Sequence, residues 1–452
     1  MDGFLPTFTR RLLTPPAIKG LTLDRPSSRA GIPERVIIPL QDVPDAPFDI
    51  MVKTGDFVRS GQKVGLMGKP PVCISAHATT SGKVDHTGPL PHPLGFRAHS
   101  VSILPNGEDE RDKLIPLDDI GLGGDREKLF EGFRDMGVPL NYGLLYASGF
   151  KISRLLINAT EFEPHITSRH QLIKERGQNL MDGLRVLTGA CSASRILILI
   201  EKEQASLARL LRQATKNMPG LIIKSVARPY PETANGFLAR KLFSKNSIFR
   251  SPKVPADIMA VDISSLLAVY NAFFSGLPHT EQLITVAGSG VKSPQNVWVK
   301  TGTPLTHIIT HAGGSPSCLG RVSLGGPLMG IPQHSLEPPL IKRAKGLFAA
   351  VAFLFDEHRR SRFYKKTPCI KCAKCVDVCP VSIIPNLVAD YVDNEHLEDA
   401  ERFGMFRCVE CGLCEYVCPS RIPLLEILRL GKVMLKGEES LLARTNFETL
   451  GW

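Results

Sequence analysis

Eight of the 11 cysteines lie between Cys369 and Cys418, in two runs of identical spacing. The first run places Cys369, Cys372, Cys375 and Cys379 before Pro380. The second places Cys408, Cys411, Cys414 and Cys418 before Pro419. Both read C-x2-C-x2-C-x3-C-P, the spacing of two-cluster ferredoxins. Three thiolates at this separation wrap three corners of one cubane, while the fourth, displaced by a longer step and followed by proline, reaches the other cluster. One [4Fe–4S] cluster is therefore expected on Cys369, Cys372, Cys375 and Cys418, and a second on Cys408, Cys411, Cys414 and Cys379. Zinc sites usually pair two cysteines instead of running four together, so the chemistry expected is electron transfer. Cys73, Cys191 and Cys318 stand apart and are expected to be buried apolar thiols.

A chain of 452 residues, 43% hydrophobic and 22% charged, is too long for one core and too apolar for disorder throughout. Its start, Met1-Asp2-Gly3-Phe4-Leu5-Pro6, lacks the basic opening and apolar stretch of a signal peptide. The longest apolar run, Gly346 to Phe355, is about half of what a membrane-spanning helix needs. These features predict a chain made and kept in the cytoplasm. The net charge of +11 suits nucleic acid, an anionic membrane surface or an acidic protein. The densest basic run, Arg359 to Lys366, directly precedes the first cysteine. No nucleic-acid motif accompanies it, so no nucleic-acid partner is expected. The run reads as a solvated linker, or as a docking segment for an acidic electron-carrier protein or for membrane headgroups.

The elements that must carry the cysteines form an ordered series. Residues 1–30, with Phe4, Leu5, Phe8, Leu12 and Leu13, look like a docking segment. Residues 31–108 alternate short strands with Gly turns, as in Arg35 to Leu40 and Val52 to Gly65, and read as a small β domain. Residues 112–278 alternate helix and strand. Arg154 to Asn158, Arg195 to Ile200 and Leu221 to Val226 read as buried strands. Glu127 to Met136, Gln171 to Thr188 and Gln204 to Thr215 read as helices. That order implies a largely parallel sheet, with ligands beyond the carboxyl ends of its strands. Residues 279–335 fit a small strand, strand, helix, strand module. A linker is expected over 336–368, a helical two-cluster domain over 369–430 and a tail over 431–452.

The ensemble resembles a known family, the C subunit (RnfC/RsxC) of the membrane-bound Rnf ion-translocating ferredoxin:NAD oxidoreductase complex, over roughly residues 30–430. The motifs that carry the resemblance are Asn158 to Pro164, Leu324 to Gly330 and Cys418 to Leu424. The resemblance implies a multidomain α/β chain. Its parts would be a barrel-sandwich (lipoyl-like) β domain, a Rossmann-like parallel α/β domain resembling the complex I flavin subunit, a ubiquitin-like (SLBB) module and a helical two-cluster ferredoxin domain. It also implies a translocase subunit, peripheral on the cytoplasmic side of the cell inner membrane, with other Rnf-type subunits as partners. In that family FMN on the α/β domain exchanges hydride with NADH and feeds the clusters. Glu161, Glu163 and Pro164 match the family's flavin or nucleotide pocket.

The sequence departs from the family at one place. Relatives carry a Gly-rich loop that lets the backbone approach the flavin phosphate. Here the stretch from Met136 to Tyr146 keeps Gly137 and Gly143 but puts Val138, Pro139, Leu140 and Tyr142 between them. A second family stretch appears as Tyr230 to Asn235. FMN and NADH binding are thus left open, with no catalytic residue assigned, and the altered loop predicts little bound FMN. Two other functions fit: a soluble iron–sulfur flavoprotein reductase, or a non-catalytic adaptor docking an external donor. The hairpin Ser75 to Thr80 stands where carriers hold an acceptor lysine and has none, which predicts a docking module with His77 at its surface.

Overall fold

The three expected apolar strands, joined by a fourth, build a parallel sheet. The computed structural model describes residues 13–121, 125–215, 218–227, 230–231, 257–314, 319–342, 344–351 and 366–436. Within them, Leu221–Val226, Arg195–Glu201, Arg154–Asn158 and Ile258–Asp262 lie side by side in that order, all parallel. Leu155, Leu156 and Ile157 are buried, as a strand covered on both faces requires. The helices Arg126–Asp135, Ser168–Cys191, Ala205–Ala214 and Ile263–Ser275 share one core with the sheet. Asp125 caps the first of these, accepting from the N–H groups of Glu127 and Lys128.

The β domain is two small antiparallel sheets around one core. One contains Val36–Pro39, Arg97–Pro105, Gly82–Pro91 and Phe57–Val58; the other contains Phe48–Ile50, Lys63–Met67 and Ile74–His77. The third unit is a mixed six-stranded sheet. Its strand Gly346–Val351 runs parallel to Glu281–Ala287 and antiparallel to Leu319–Leu324. That strand falls inside the expected linker over 336–368, so residues 346–351 of it are sheet. Its apolar run is part of a core shared with Ile284 and Leu324. The cluster domain is helical, as expected, with Pro385–Asp393, Leu397–Arg402 and Leu424–Lys436 around Val388, Val392 and Leu428. Pro385 opens the first of these, where its missing N–H costs nothing.

The expected docking segment 1–30 packs on its own chain where it is described. Ile18 donates to the Pro164 carbonyl at 2.9 Å, and Ser28–Arg29 add a short parallel strand beside Gln295–Lys300. Cys73 and Cys191 are buried as expected; Cys318, residues 1–12, the run from Arg359 to Lys365 and the tail beyond Lys436 lie outside the described residues. No helix among the described residues is long and apolar enough to cross a membrane.

Candidate functional site

The two cysteine runs fold as near copies, and the backbone shows why. Lys371 and Glu410, each two residues after a run's first cysteine, take left-handed φ values of 54° and 53°. Ala373 and Gly412 do so at 60° and 72°, and Ser382 and Arg421, three residues after the last cysteines, at 51° and 52°. These turns curl each run around a centre. They aim the N–H of Lys371 at Cys369 Sγ and that of Glu410 at Cys408 Sγ, both at 3.4 Å. Short helical turns, Lys374–Asp377 and Leu413–Tyr416, then carry each third cysteine inward.

The sequence-predicted cysteines come together in the crossed sets. Cys369, Cys372, Cys375 and Cys418 line one cavity, with Asn386 and Leu424. Cys379, Cys408, Cys411 and Cys414 line the other, with Leu425 and Leu428. Among the described residues, no three His, Cys, Asp or Glu side chains converge closely enough to grip a single ion; the thiols ring a space instead. Soft donors around a small cavity fit a [4Fe–4S] cluster. The two sites differ in exposure. Cys369 and Cys372 are exposed, whereas Cys379, Cys411 and Cys414 are buried. Burial pushes the Cys411 and Cys414 thiols up, and neighbouring cysteines add to it. Bound metal would be needed to hold them as thiolates.

The inner set is wedged against the other units. Tyr230, fully buried, donates from its hydroxyl to the Cys411 carbonyl at 2.5 Å. Phe162, Tyr230, Met329, Cys411 and Leu413 form one apolar cluster. A Cβ on Gly412 would stand 2.5 Å from the Leu328 carbonyl, so only glycine allows this approach. Glu410 is buried between Arg429 at 2.9 Å and Lys432 at 2.6 Å. Burial opposes its charge, but Lys432 and Arg429 outweigh that and hold its carboxyl well below the usual range. Arg429 also donates to the carbonyls of Met329 and Gly330, and Lys432 to that of Cys408. Sequence reasoning notes Tyr230 only within a second family stretch and assigns none of Glu410, Arg429 or Lys432 to a site. Glu410, a carboxylate between two cysteines, is the one signal that could have found them.

Glu161, Glu163 and Pro164 are tied by hydrogen bonds to other parts of the chain. The Glu161 carboxylate accepts from the backbone N–H and the guanidinium of Arg169, which also grips Asp262. Glu163 accepts from the N–H groups of Leu328 and Met329. A Cβ on Gly326 would meet that carboxylate at 2.5 Å. Burial pushes Glu163 up to about 7, against the pull of those N–H groups and of Arg429 and Lys19. Pro164 gives its carbonyl to Ile18.

A different cavity, of about 290 Å³, lies between the β and α/β domains beyond the strand Ile258–Asp262. Pro139, Leu140, Tyr142, Gly143, Asp262 and Lys345 line it, and the three predicted pocket residues do not. Its loop stands where relatives carry the Gly-rich phosphate cradle, and the residues present do not fit one. The N–H of Gly137 donates to Arg134, that of Val138 to Phe133, that of Leu140 to Val138 and that of Tyr142 to Leu140. Pro139 has none. Asn141 spends its side chain capping the helix Tyr142–Ala147. The expectation for His77 is corrected as well: it is 5% exposed, and burial followed by Lys342 and Lys63 brings its pKa down to about 3. Its hairpin faces inward because Thr79 bonds the Thr301 carbonyl. Tyr230 is described, but Glu232 to Asn235 lie outside the described residues.

Four family models match the chain. They are an RnfC barrel sandwich hybrid domain over residues 9–108, a Nuo51 FMN-binding domain over 132–271, an SLBB domain over 283–332 and a 4Fe-4S dicluster domain over 368–422. The C subunit of the ion-translocating oxidoreductase complex of Yersinia pestis is 30% identical over 95% of this chain and 70% of its own length. The corresponding proteins of Klebsiella pneumoniae and Erwinia tasmaniensis are 31% and 30% identical over 92% and 96% of this chain. The chain spans 56% and 55% of their lengths. An NAD+-reducing [NiFe]-hydrogenase chain in its H2-reduced state aligns with a TM-score of 0.47 at 17% identity, over 73% of this chain and 65% of its own. The chain belongs to the RnfC family, the C subunits of ion-translocating oxidoreductase complexes.

Proposed function

We propose that this chain relays electrons through two [4Fe–4S] clusters as a subunit of a membrane-bound Rnf-type complex that couples electron transfer to ion translocation. The observation that carries this reading is the crossed grouping of eight cysteines around two cavities. Cys369, Cys372, Cys375 and Cys418 would hold an outer cluster; Cys408, Cys411, Cys414 and Cys379 would hold an inner one. Bound there, such clusters exchange single electrons without bond-making at the protein. The chain's own residues supply position and shielding. Leu413, Leu425 and Leu428 keep water from the inner site, and Arg429, Lys432 and Glu410 lock its loop to the neighbouring module. Domain limits of 31–108, 112–278, 279–335 and 369–430 are part of this reading; the matching family models support them apart from the start of the first, whose model begins at residue 9.

Peripheral attachment to the cytoplasmic face of the membrane, through the other subunits, completes the proposal. An adaptor that takes electrons from an outside donor is favoured over NADH oxidation through FMN by one observation, that the N–H groups of Gly137, Val138, Leu140 and Tyr142 bond within the chain. Anaerobic purification should give about eight iron and eight sulfide per chain. A preparation with zinc, or with iron for a single cluster, would sink the reading. In cells holding the partner subunits, the chain should sediment with membranes and come off in high salt without detergent. A requirement for detergent would overturn the peripheral attachment.

A further inference from the structure

The helix Ser168–Cys191 leaves helical geometry at Arg176, where φ is −132° and ψ is 23°, one residue before Gly177. Backbone distortion of this kind gathers at ligand sites. Arg176 lines a further cavity, of about 240 Å³, set between that helix, the helix Ile263–Ser275 and the strands Glu281–Ala287 and Gln295–Lys300. Lys345 is the one residue it shares with the 290 Å³ cavity, and none of its residues lines either cysteine cavity. The charges around it are matched except one. Glu281 pairs with Arg29 at 2.7 Å, and Lys345 donates to Ser264 at 2.5 Å beside Asp262. Glu175, the neighbour of Arg176 in the chain, is taken by Ser27 and Gln171. Burial, followed by Lys342 and Lys345, brings His279 down to about 3, so its imidazole is neutral. Arg176 is exposed and forms no ion pair among the described residues. The uncharged polar groups are also unmatched: Asn179, Tyr270 and Asn271 line the cavity, and their side chains make no hydrogen bond among the described residues. Gln282, 6% exposed, donates to the Ile341 carbonyl at 2.7 Å, while its own side-chain oxygen is buried without a partner. A buried acceptor in that state calls for a donor.

We propose that this cavity binds a small aromatic carboxylate, with Arg176 gripping the carboxylate, Trp298 and the surrounding leucines packing on the ring, and the amides of Asn179, Asn271 and Gln282 meeting its polar substituents. A planar guanidinium matches a carboxylate through two parallel hydrogen bonds. One free cation balances one negative charge, whereas a phosphate ester dianion would leave a charge unmatched. Nor is a helix N-terminus left open to help, because the helix Ile263–Ser275, which borders the cavity at Ser264, is already capped by Asp262. The walls call for an apolar, flat body: Leu172, Leu267, Leu277 and Leu283 line the cavity with Trp298, which is 7% exposed. An apolar cavity of about 150 Å³ accommodates benzene, so 240 Å³ takes one substituted ring. It falls below the roughly 300–1,000 Å³ of sites for larger ligands, which sets it apart from a flavin or dinucleotide pocket. A ligand held here touches both the α/β domain, through Arg176 and Asn271, and the six-stranded module, through Gln282 and Trp298.

The test uses the full chain, purified anaerobically, and isothermal titration calorimetry with benzoate, 4-hydroxybenzoate, the neutral isostere benzamide and inorganic phosphate. Benzoate should bind about tenfold or more tightly than benzamide, the discrimination that a charge-assisted bidentate contact gives. Arg176→Gln should lose that preference at an unchanged melting midpoint, because Arg176 is exposed. The remote control Arg212→Gln should behave as wild type. 4-Hydroxybenzoate should bind more tightly than benzoate, since its hydroxyl supplies a donor for the unpaired oxygen of Gln282. The chain has two tryptophans, Trp298 and Trp452, so Trp452→Phe leaves Trp298 as the reporter, and its emission should change as benzoate saturates. Failure of both carboxylates to bind at millimolar concentration would overturn the proposal. So would equal binding of benzoate and benzamide, or an Arg176→Gln variant that still prefers benzoate. Unchanged Trp298 emission at saturation would place the binding elsewhere and overturn this cavity as its site. Displacement of benzoate by inorganic phosphate would overturn the carboxylate assignment, and 4-hydroxybenzoate binding no better than benzoate would overturn the part given to Gln282.

Discussion

Tyr230 and Cys411 are 181 residues apart in the chain, and the tyrosine hydroxyl donates to the cysteine carbonyl at 2.5 Å. This bond joins the segment beyond the parallel sheet to the loop of the inner cysteines. Tyr230→Phe keeps the ring between Phe162 and Met329 but leaves a buried carbonyl without its donor, at a cost of about 1–3 kcal/mol. The inner cluster's resonance signal should shift in the variant while the outer one's does not. Equal change in both, or in neither, would show that the bond does not orient the Cys411 loop.

Cys418→Ser should remove the cluster held by Cys369, Cys372 and Cys375 and leave the inner one. Cys379→Ser should do the opposite. Iron content near half of wild type, with the surviving signal identified by resonance, is the expected outcome. Loss of the inner signal in the Cys418 variant would mean that each run closes its own cluster.

Gly412→Ala puts a methyl group 2.5 Å from the Leu328 carbonyl on a backbone at φ 72°. The left-handed backbone alone costs roughly 1–2 kcal/mol for a residue with a Cβ, and the contact adds to it. Its counterpart Ala373 holds the same backbone at an exposed position, so Ala373→Gly should leave the cluster domain's melting midpoint unchanged or slightly raised. Calorimetry on the pair should therefore show a clear drop for the first and none for the second.

Glu163 gives a pH dependence with a definite sign. Its folded pKa lies at about 7, above the ordinary 4.5, because it is buried. The native state thus holds a proton that the unfolded chain releases from about pH 4.5 upward. Stability from this group is complete below pH 4.5 and is lost as pH rises through 7, by up to about 3 kcal/mol. Glu163→Gln keeps one oxygen, for the shorter Met329 bond, and cannot ionise. Melting midpoints from pH 4.5 to 8 should fall less steeply in the variant than in wild type. Parallel curves would assign the dependence to other groups.

Flavin extracted from the purified chain should be well below one FMN per chain, and NADH should not bleach its clusters. Two lost phosphate hydrogen bonds, each on the order of 1.5–3 kcal/mol, weaken binding by two to four powers of ten. Stoichiometric FMN would show that the cavity beside Leu140 and Tyr142 accepts it without the glycine cradle.

The sequence made local features legible and left distant ones hidden. Cysteine spacing anticipated which four thiols line each cavity, because the repeated C-x2-C-x2-C-x3-C-P motif carries the crossed pattern with it. Arg154 to Asn158 and Leu221 to Val226 were readable as strands from their apolar runs. Gly346–Val351 was not, because its pairing partners, Thr285 to Ala287 and Leu319 to Leu324, lie elsewhere in the chain. Glu161 and Glu163 were expected in a pocket because their stretch resembles the family's flavin site. Their partners, the Arg169 guanidinium and the Leu328 and Met329 N–H groups, were visible only once the units had packed.

The difference in burial between the two cysteine sets also ranks their fragility. Oxidants and chelators reach a metal centre through whichever sulfurs meet water. Cys369 and Cys372 meet it; Cys411 and Cys414 do not. Brief exposure to air should therefore strip the outer site first, leaving a chain whose remaining cluster is walled off from the outside.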